Sequence, residues 1–423
     1  SRGFVPILQS AQSRLDEQDM LQLEEIMQRT DIVPLLQLFR DAPVDLEAMI
    51  HEIYPGDYHR GSLINPLAEI LAEYFPEDQD GYFPKTIDEA LPDLGKLDLP
   101  ENLSDNAQVL LEERFLKALY SPLAQAETAG EDTMKKTWDA LRRRNAAIAH
   151  PQVKAVLARV MRQYKAGLAF QPEEWGLKEG IPLKLFQRLD FLRVQDNHRF
   201  LMANEQGLGK SLIVIGDALR KKAKKVLVLT RLSAMDAWKR EIGRWAKGPP
   251  KVYMITGSAK QRLDALEEAA KPSDETEYIV MSDSAFLNDD ILEAVKKIGV
   301  DYIAQDEAHR IKNPETVRAG AVHELNAKEK VLVTGTPLMG GDVAFLWSLL
   351  HWIAPKAFPG EDSSDFQATF MGTKEKYSNL YFAIKPYKFR WLKRHVLVDF
   401  PRRKHRYVDV PLTGVYLENY RKQ

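Results

Sequence analysis

The stretch FLMANEQGLGKSLIVIGDAL, Phe200 to Leu219, decides the fold. It begins with a short apolar run, passes through the loop NEQGLG, and continues as KSLIVIGDAL, the amphipathic start of a helix. A loop between a strand and a helix aims backbone N–H groups and the positive helix end at an anion. Lys210 is placed to reach the β- and γ-phosphates of a nucleotide, and the Ser211 hydroxyl to ligate Mg²⁺. Gly207 and Gly209 allow the backbone to approach the phosphates closely, and Leu208 between them supplies a further backbone N–H. Position 204 is Asn, where a phosphate loop usually opens with Gly. Taken alone, the stretch leaves open an ordinary Gly-rich turn that happens to end in Lys-Ser.

The sequence on either side divides in two. Residues 1–177 hold 18 Lys+Arg against 30 Asp+Glu, and residues 178–423 hold 41 against 31, so a net charge of −2 conceals an acidic half and a basic half. The last forty residues carry 11 basic and 3 acidic side chains. Such asymmetry points to two bodies with different partners, the basic one suited to a phosphate backbone. Hydrophobic residues at 44% and charged residues at 28% are ordinary globular composition. With no cysteine, disulfides and thiolate metal sites are excluded. The nine histidines show no zinc-ligand spacing. No apolar run reaches about 18 residues, so no membrane span is expected.

Residues 1–177 read as helix after helix. Apolar residues recur near the 3.6 period in LDEQDMLQLEEIMQRT, NPLAEILAEYF and NAQVLLEERFLKALY. One or two longer helices, broken near Pro151, follow in TWDALRRRNAAIAHPQVKAVLARVMRQYKAG. From residue 178 short apolar runs (KVLVLT, KVYMIT, EYIVMS, DYIAQDE, KVLVTGTP) alternate with amphipathic stretches such as SAMDAWKREIGRWA and NDDILEAVKKIG. That alternation predicts a parallel sheet covered by helices, with ligands at the carboxyl ends of the strands.

Two further elements sit where such a site needs them. DYIAQDEAHRIKN ends an apolar run on Asp306 and Glu307. Asp306 is placed to hold Mg²⁺ with Ser211, and Glu307 to orient and deprotonate an attacking water. His309 is placed to couple this site to another element. The strand exit Thr334-Gly335-Thr336-Pro337 follows, a weak signal by itself.

Together these motifs resemble the Swi/Snf-type DNA translocases of helicase superfamily two. That family's loop reads Asp-Glu-Met-Gly-Leu-Gly-Lys-Thr, so a missing opening glycine is a family trait. LKLFQRLDFL resembles its adenine-reading segment, with Gln187 as base contact and Phe186 beside it. VLVLTRLSAMDAWKREIGRWA carries Trp238, Glu241 and Trp245 at familiar places, and DEAHRIKN and TGTPLMGGDVAFLWSLLHWIAP match closely. KFRWLKRHVLVDFP resembles the basic stretch leading to a second lobe. The resemblance covers roughly residues 180–423. It implies an α/β fold: a RecA-like P-loop lobe at 178–385 with a parallel sheet, followed by a basic linker at 386–423; the acidic all-α domain read from charge and periodicity at 1–177 precedes this lobe and lies outside the resemblance. The resemblance implies ATP and Mg²⁺ as cofactors, double-stranded DNA as partner, and Thr334 and Thr336 with His309 in coupling. It extends to bacterial genome maintenance or anti-phage defence, at the nucleoid in a prokaryote or the nucleus in a eukaryote.

Departures stand beside the matches. Ser211 replaces Thr, Arg231 stands where the family has Pro, and MSDSAF replaces a Thr-Tyr or Ser-Tyr pair that contacts DNA. No second-lobe motif follows TGVYLENYRKQ, so the alternative expectation is an ATP- and DNA-binding module with little turnover of its own. The acidic domain is expected to bind a protein partner or to cover the basic lobe. Trp238, Trp245, Trp347 and Trp352 lie at helical spacings and are expected in the core. The basic tail KPYKFRWLKRHVLVDFPRRKHRY leaves a solvated face and a phosphate contact equally open.

Overall fold

The computed structural model describes residues 131–397, apart from 249, 338–343, 361 and 372–373, together with some positions between 102 and 119. The helices expected in residues 1–100 lie outside the described residues, as does the tail from 398 onward.

The first described helices are α1 (Glu131–Ala147) and α2 (Pro151–Leu168). They break where the sequence predicts. Pro151 occupies the first turn of α2, and the His150 side chain accepts from the Val153 N–H. Proline is tolerated there because its missing N–H has no intrahelical partner. After α3 (Leu185–Val194) the chain alternates: β1 (Arg199–Met202), α4 (Lys210–Arg220), β2 (Lys225–Thr230), α5 (Met235–Trp245), β3 (Lys251–Ile255), α6 (Ala259–Ala269), β4 (Glu277–Ser282), α7 (Asp289–Ile298), β5 (Tyr302–Asp306), α8 (Val317–Glu324) and β6 (Glu329–Val333). Then come α9 (Ala344–Ile353), α10 (Ser364–Phe370), α11 (Lys374–Ile384), the two-residue β7 (Lys388–Phe389) and α12 (Lys393–Val396).

The seven strands form one sheet in the order β3-β4-β2-β5-β6-β1-β7, and every pairing is parallel. β2, β4 and β6 are buried along their whole length. Their runs of Val, Leu and Ile fit a sheet covered on both faces. Alternate residues go to opposite faces. Phe200, Met202, Val226, Val228 and Val331 pack on one side with α4, Trp238 and Ile242. Leu201, Leu227, Leu229, Ile303 and Leu332 pack on the other with Leu266, Ile291, Leu349 and Leu350.

Phe170, Trp175 and Leu177 belong to the first of these clusters, Phe170 stacking on Phe191 of α3 and Trp175 tilted against it. Leu177 also bridges Ala246 at the end of α5. The division expected between residues 177 and 178 therefore falls inside one packed core. Among the described residues, no helix is long and apolar enough to cross a membrane.

Candidate active site

Because all strands run one way, every loop after a strand leaves the same edge of the sheet. The register sets their levels. Met202 of β1 and Asp306 of β5 each lie opposite Val333 of β6. The loop after β1 and the Asp306-Glu307 pair thus emerge at one height, about 10 Å apart across the intervening strand.

The loop after β1 runs from Ala203 into α4. Gly207 and Gly209 hold φ of 85° and 82°, and Gly209 is the N-cap of α4. A Cβ on Gly209 would meet Gln187 Nε2 at 2.5 Å, so the Gln187 amide lies directly over the loop. Gln187 donates to the Leu208 carbonyl (3.4 Å) and accepts from the Lys184 N–H (3.0 Å). Leu208 between the two glycines is buried. Lys210 Nζ donates to the carbonyls of Asn204 (3.0 Å) and Glu205 (3.4 Å), folded back across the loop. Burial pulls the Lys210 ammonium below its ordinary range, with Asp306 and Glu307 opposing. Ser211 Oγ donates to Glu241 Oε2 of α5 at 3.4 Å.

Phe186 is 3% exposed. This neighbour of the expected base contact is buried at the start of α3, while Gln187 faces the loop.

Asp306 ends β5, and three donors converge on its carboxylate. Thr230 Oγ1 donates to Oδ2 at 2.8 Å, Trp238 Nε1 to the same oxygen at 2.9 Å, and the Glu307 N–H to Oδ1 at 2.9 Å. Glu307 itself adopts φ 50° and ψ 51°, the left-handed region. For a residue with a Cβ that conformation costs about 1–3 kcal/mol and persists only where its surroundings enforce it. It turns the Glu307 side chain, 39% exposed, away from the sheet, with Oε2 3.3 Å from His309 Nδ1.

His309 joins three elements. Nδ1 lies 3.4 Å from Thr334 Oγ1, and Nε2 lies 3.3 Å from Arg231 Nη2. Burial lowers the His309 pKa, and the Arg231, Arg310 and Lys312 cations add to that while Glu307 opposes. Because a guanidinium only donates, Nε2 is the acceptor and the proton of the neutral ring sits on Nδ1. Thr334 is buried and also accepts from the Thr336 N–H at 3.1 Å. A Cβ on Gly335 would lie 3.2 Å from the Gln206 N and 3.7 Å from Lys210 Nζ, so the Thr334–Pro337 turn presses on the phosphate loop itself. The structure therefore brings Gln187, Gly207, Leu208, Gly209, Lys210, Ser211, Asp306, Glu307, His309, Thr334 and Thr336 to one edge.

Sequence reading missed two participants. Trp238 is buried, as its helical spacing implies, yet its indole N–H fixes Asp306. Asp283 of MSDSAF is buried and forms a two-point ion pair with Arg310 (2.7 and 2.8 Å). That pair braces the turn carrying Glu307 and leaves Asp283 no exposed face for DNA. Trp347 and Trp352 are buried as expected, and Trp245 donates its indole N–H to Glu241.

The donor set suits ATP with Mg²⁺. Positive-φ glycines, a helix start and an ammonium suit phosphates, and a hydroxyl with one carboxylate suits an ion that keeps most of its shell as water and phosphate oxygen. Among the described residues, no cluster of three or more His, Asp and Glu side chains could hold a metal by itself.

Among curated relatives, the ISWI chromatin-remodeling complex ATPase ISW1 of Saccharomyces cerevisiae is 28% identical over 233 residues, 52% of this chain and 20% of the yeast protein. Human chromodomain-helicase-DNA-binding protein 8 is 29% identical over 237 residues, 52% of this chain and 9% of its own length. The chain thus spans a fifth or less of these relatives. Among solved structures, the Sulfolobus solfataricus SWI2/SNF2 ATPase core in complex with dsDNA aligns with a TM-score of 0.44 at 24% identity, over 53% of this chain and 47% of that one. The model of the SNF2-related domain matches residues 101–423, and the chain belongs to that family.

Proposed function

We propose that this chain is the nucleotide-binding lobe of an ATP-driven motor that moves along double-stranded DNA. The observation that carries it is the convergence of Lys210 and Ser211 with Asp306 and Glu307 at one sheet edge, in a family whose relatives are named as a chromatin-remodeling ATPase and a DNA-binding helicase. Lys210 and the loop N–H groups would bind the phosphates, and Ser211 and Asp306 would hold Mg²⁺, which would supply charge neutralisation when bound. Glu307 takes a proton from the attacking water, its carboxylate oriented by the strained turn and by His309. Thr334, through His309 and Gly335, links the turn after β5 to the phosphate loop. Gln187 reads the base. Contacts to DNA phosphates carry no sequence preference and weaken with salt. An anti-phage or genome-maintenance setting is the pathway expectation that goes with a prokaryotic source, and residues 1–177 are the candidate surface for a protein partner.

The test is nucleotide binding and turnover with and without duplex DNA. Lys210→Ala removes binding; Glu307→Gln retains binding and loses hydrolysis. Turnover unaffected by either substitution would refute the assignment.

A further inference from the structure

Asn204, the residue that departs from a phosphate loop's opening glycine, is fully buried and engaged on every side. Its Nδ2 donates to Asp190 Oδ2 of α3 at 2.7 Å, and its Oδ1 accepts from the Trp391 N–H at 2.8 Å. Its carbonyl receives Lys210 Nζ. The other Asp190 oxygen accepts the Trp391 indole N–H at 2.9 Å. Asp190 is fully buried too, and burial pushes its carboxyl up to about 6 despite Arg193 and these two donors.

This junction belongs to a longer seam. The segment Phe389–Lys393 runs along the phosphate loop as a strap. Ala203 N–H donates to the Phe389 carbonyl (2.7 Å), Glu205 N–H to the Trp391 carbonyl (2.9 Å), and Lys393 N–H to Glu205 Oε2 (2.7 Å). Arg390 Nη1 donates to the Ala203 carbonyl at 3.0 Å. Lys393 Cε ends 3.6 Å from where a Cβ on Gly207 would stand. Loop and strap are one hydrogen-bonded unit, and the Asp190–Asn204 pair is its buried centre.

We propose that Asp190 is a positioning residue for nucleotide binding: through Asn204 it fixes the start of the phosphate loop, and through Trp391 it fixes the strap against that loop. Affinity then depends on the donor–acceptor match between positions 190 and 204, and not on which of the two carries the carboxylate. The inference rests on reading the loop as a nucleotide site.

A swap tests it. Asn204→Asp removes the amide donor and sets two carboxyl groups against each other, which repel or must take up a proton, and Asp190→Asn leaves the Trp391 indole facing an amide donor or Asn204 without its acceptor. Combining the two restores every bond with roles reversed: the amide at 190 donates to the carboxylate at 204 and accepts the indole N–H. ADP with Mg²⁺ is titrated into the 423-residue chain by calorimetry, below the melting midpoint of each variant. Each single substitution is expected to raise Kd about tenfold or more, and the double variant to return within about threefold of the original. Should a single variant fail to fold, Trp391→Phe removes only the indole bond, and it too is expected to raise Kd. Singles that lower the melting midpoint but leave Kd unchanged, or a double variant that stays weak, overturn the proposal. An original chain that binds ADP no better than Lys210→Ala overturns the nucleotide reading itself, a distinguishable result.

Discussion

Two buried carboxylates sit at opposite edges of the sheet. Asp190, beside the phosphate loop, is bound by Asn204 and Trp391. Asp217, on α4 near the amino ends of the strands, accepts from Tyr302 Oη at 2.8 Å and pairs with Lys221 at 3.0 Å, which also meets Glu329 at 2.9 Å. Burial raises both, Asp190 to about 6 and Asp217 to about 7. By burial and titration alone they are indistinguishable. What separates them is the edge they occupy. In a parallel sheet ligands bind at the carboxyl ends of the strands, so a perturbed carboxylate marks chemistry at one edge and packing at the other.

The contrast is broken most sharply by two substitutions. Glu307→Gln should lower turnover by about 100-fold or more, the scale of a lost general base, with ADP affinity and melting midpoint unchanged. Asp217→Ala should do the reverse: the buried Tyr302 hydroxyl loses its acceptor and Lys221 one of its two carboxylates, at a cost of about 1–3 kcal/mol in unfolding free energy, while nucleotide affinity of the folded chain stays put. Denaturant titration beside a turnover assay reads both. A loss of affinity in folded Asp217→Ala would erase the distinction between the edges.

Smaller effects sharpen it. Trp238→Phe keeps the buried ring and deletes the N–H on Asp306; with Thr230 and the Glu307 N–H still in place, turnover should fall about tenfold, the size of one hydrogen bond to a charge. Arg231→Ala frees His309 Nε2 and should change turnover by about two- to threefold, since this contact is exposed. The smallest signature is in pH. A carboxyl whose folded pKa lies above its unfolded value binds protons more tightly when folded, so its stabilising share is complete below about pH 4 and declines as pH rises toward its folded value. For Asp217 that window runs from about 4 to 7. Asp217→Asn should therefore gain stability relative to the original chain across that window, measured as the difference between two unfolding curves.

Much of this was legible in the sequence because it was local. KVLVLT and EYIVMS coincide with β2 and β4, since a run buried on both faces leaves an unbroken apolar signature. NDDILEAVKKIG gives α7 with its Asn288 cap and left-handed Gly299. The Lys210, Asp306 and Glu307 positions follow from strand ends followed by turns. What escaped was non-local. β7 is two residues long, too short for any period, and exists because Lys388 pairs with Leu201. Asn204 looked like a departure because its partners lie 14 and 187 residues away. Trp238 was legible as core from its spacing, but its N–H reaches Asp306 across 68 residues of sequence.

The most direct test is thermal unfolding of the original chain and of Lys210→Ala, each with and without ADP and Mg²⁺. A ligand that binds only the folded state raises the midpoint with concentration. The midpoint of the original chain should rise as ADP is added, and that of Lys210→Ala should stay where it is while matching the original in the absence of nucleotide. Equal shifts in both proteins, or no shift in either, would contradict a nucleotide site built on this loop.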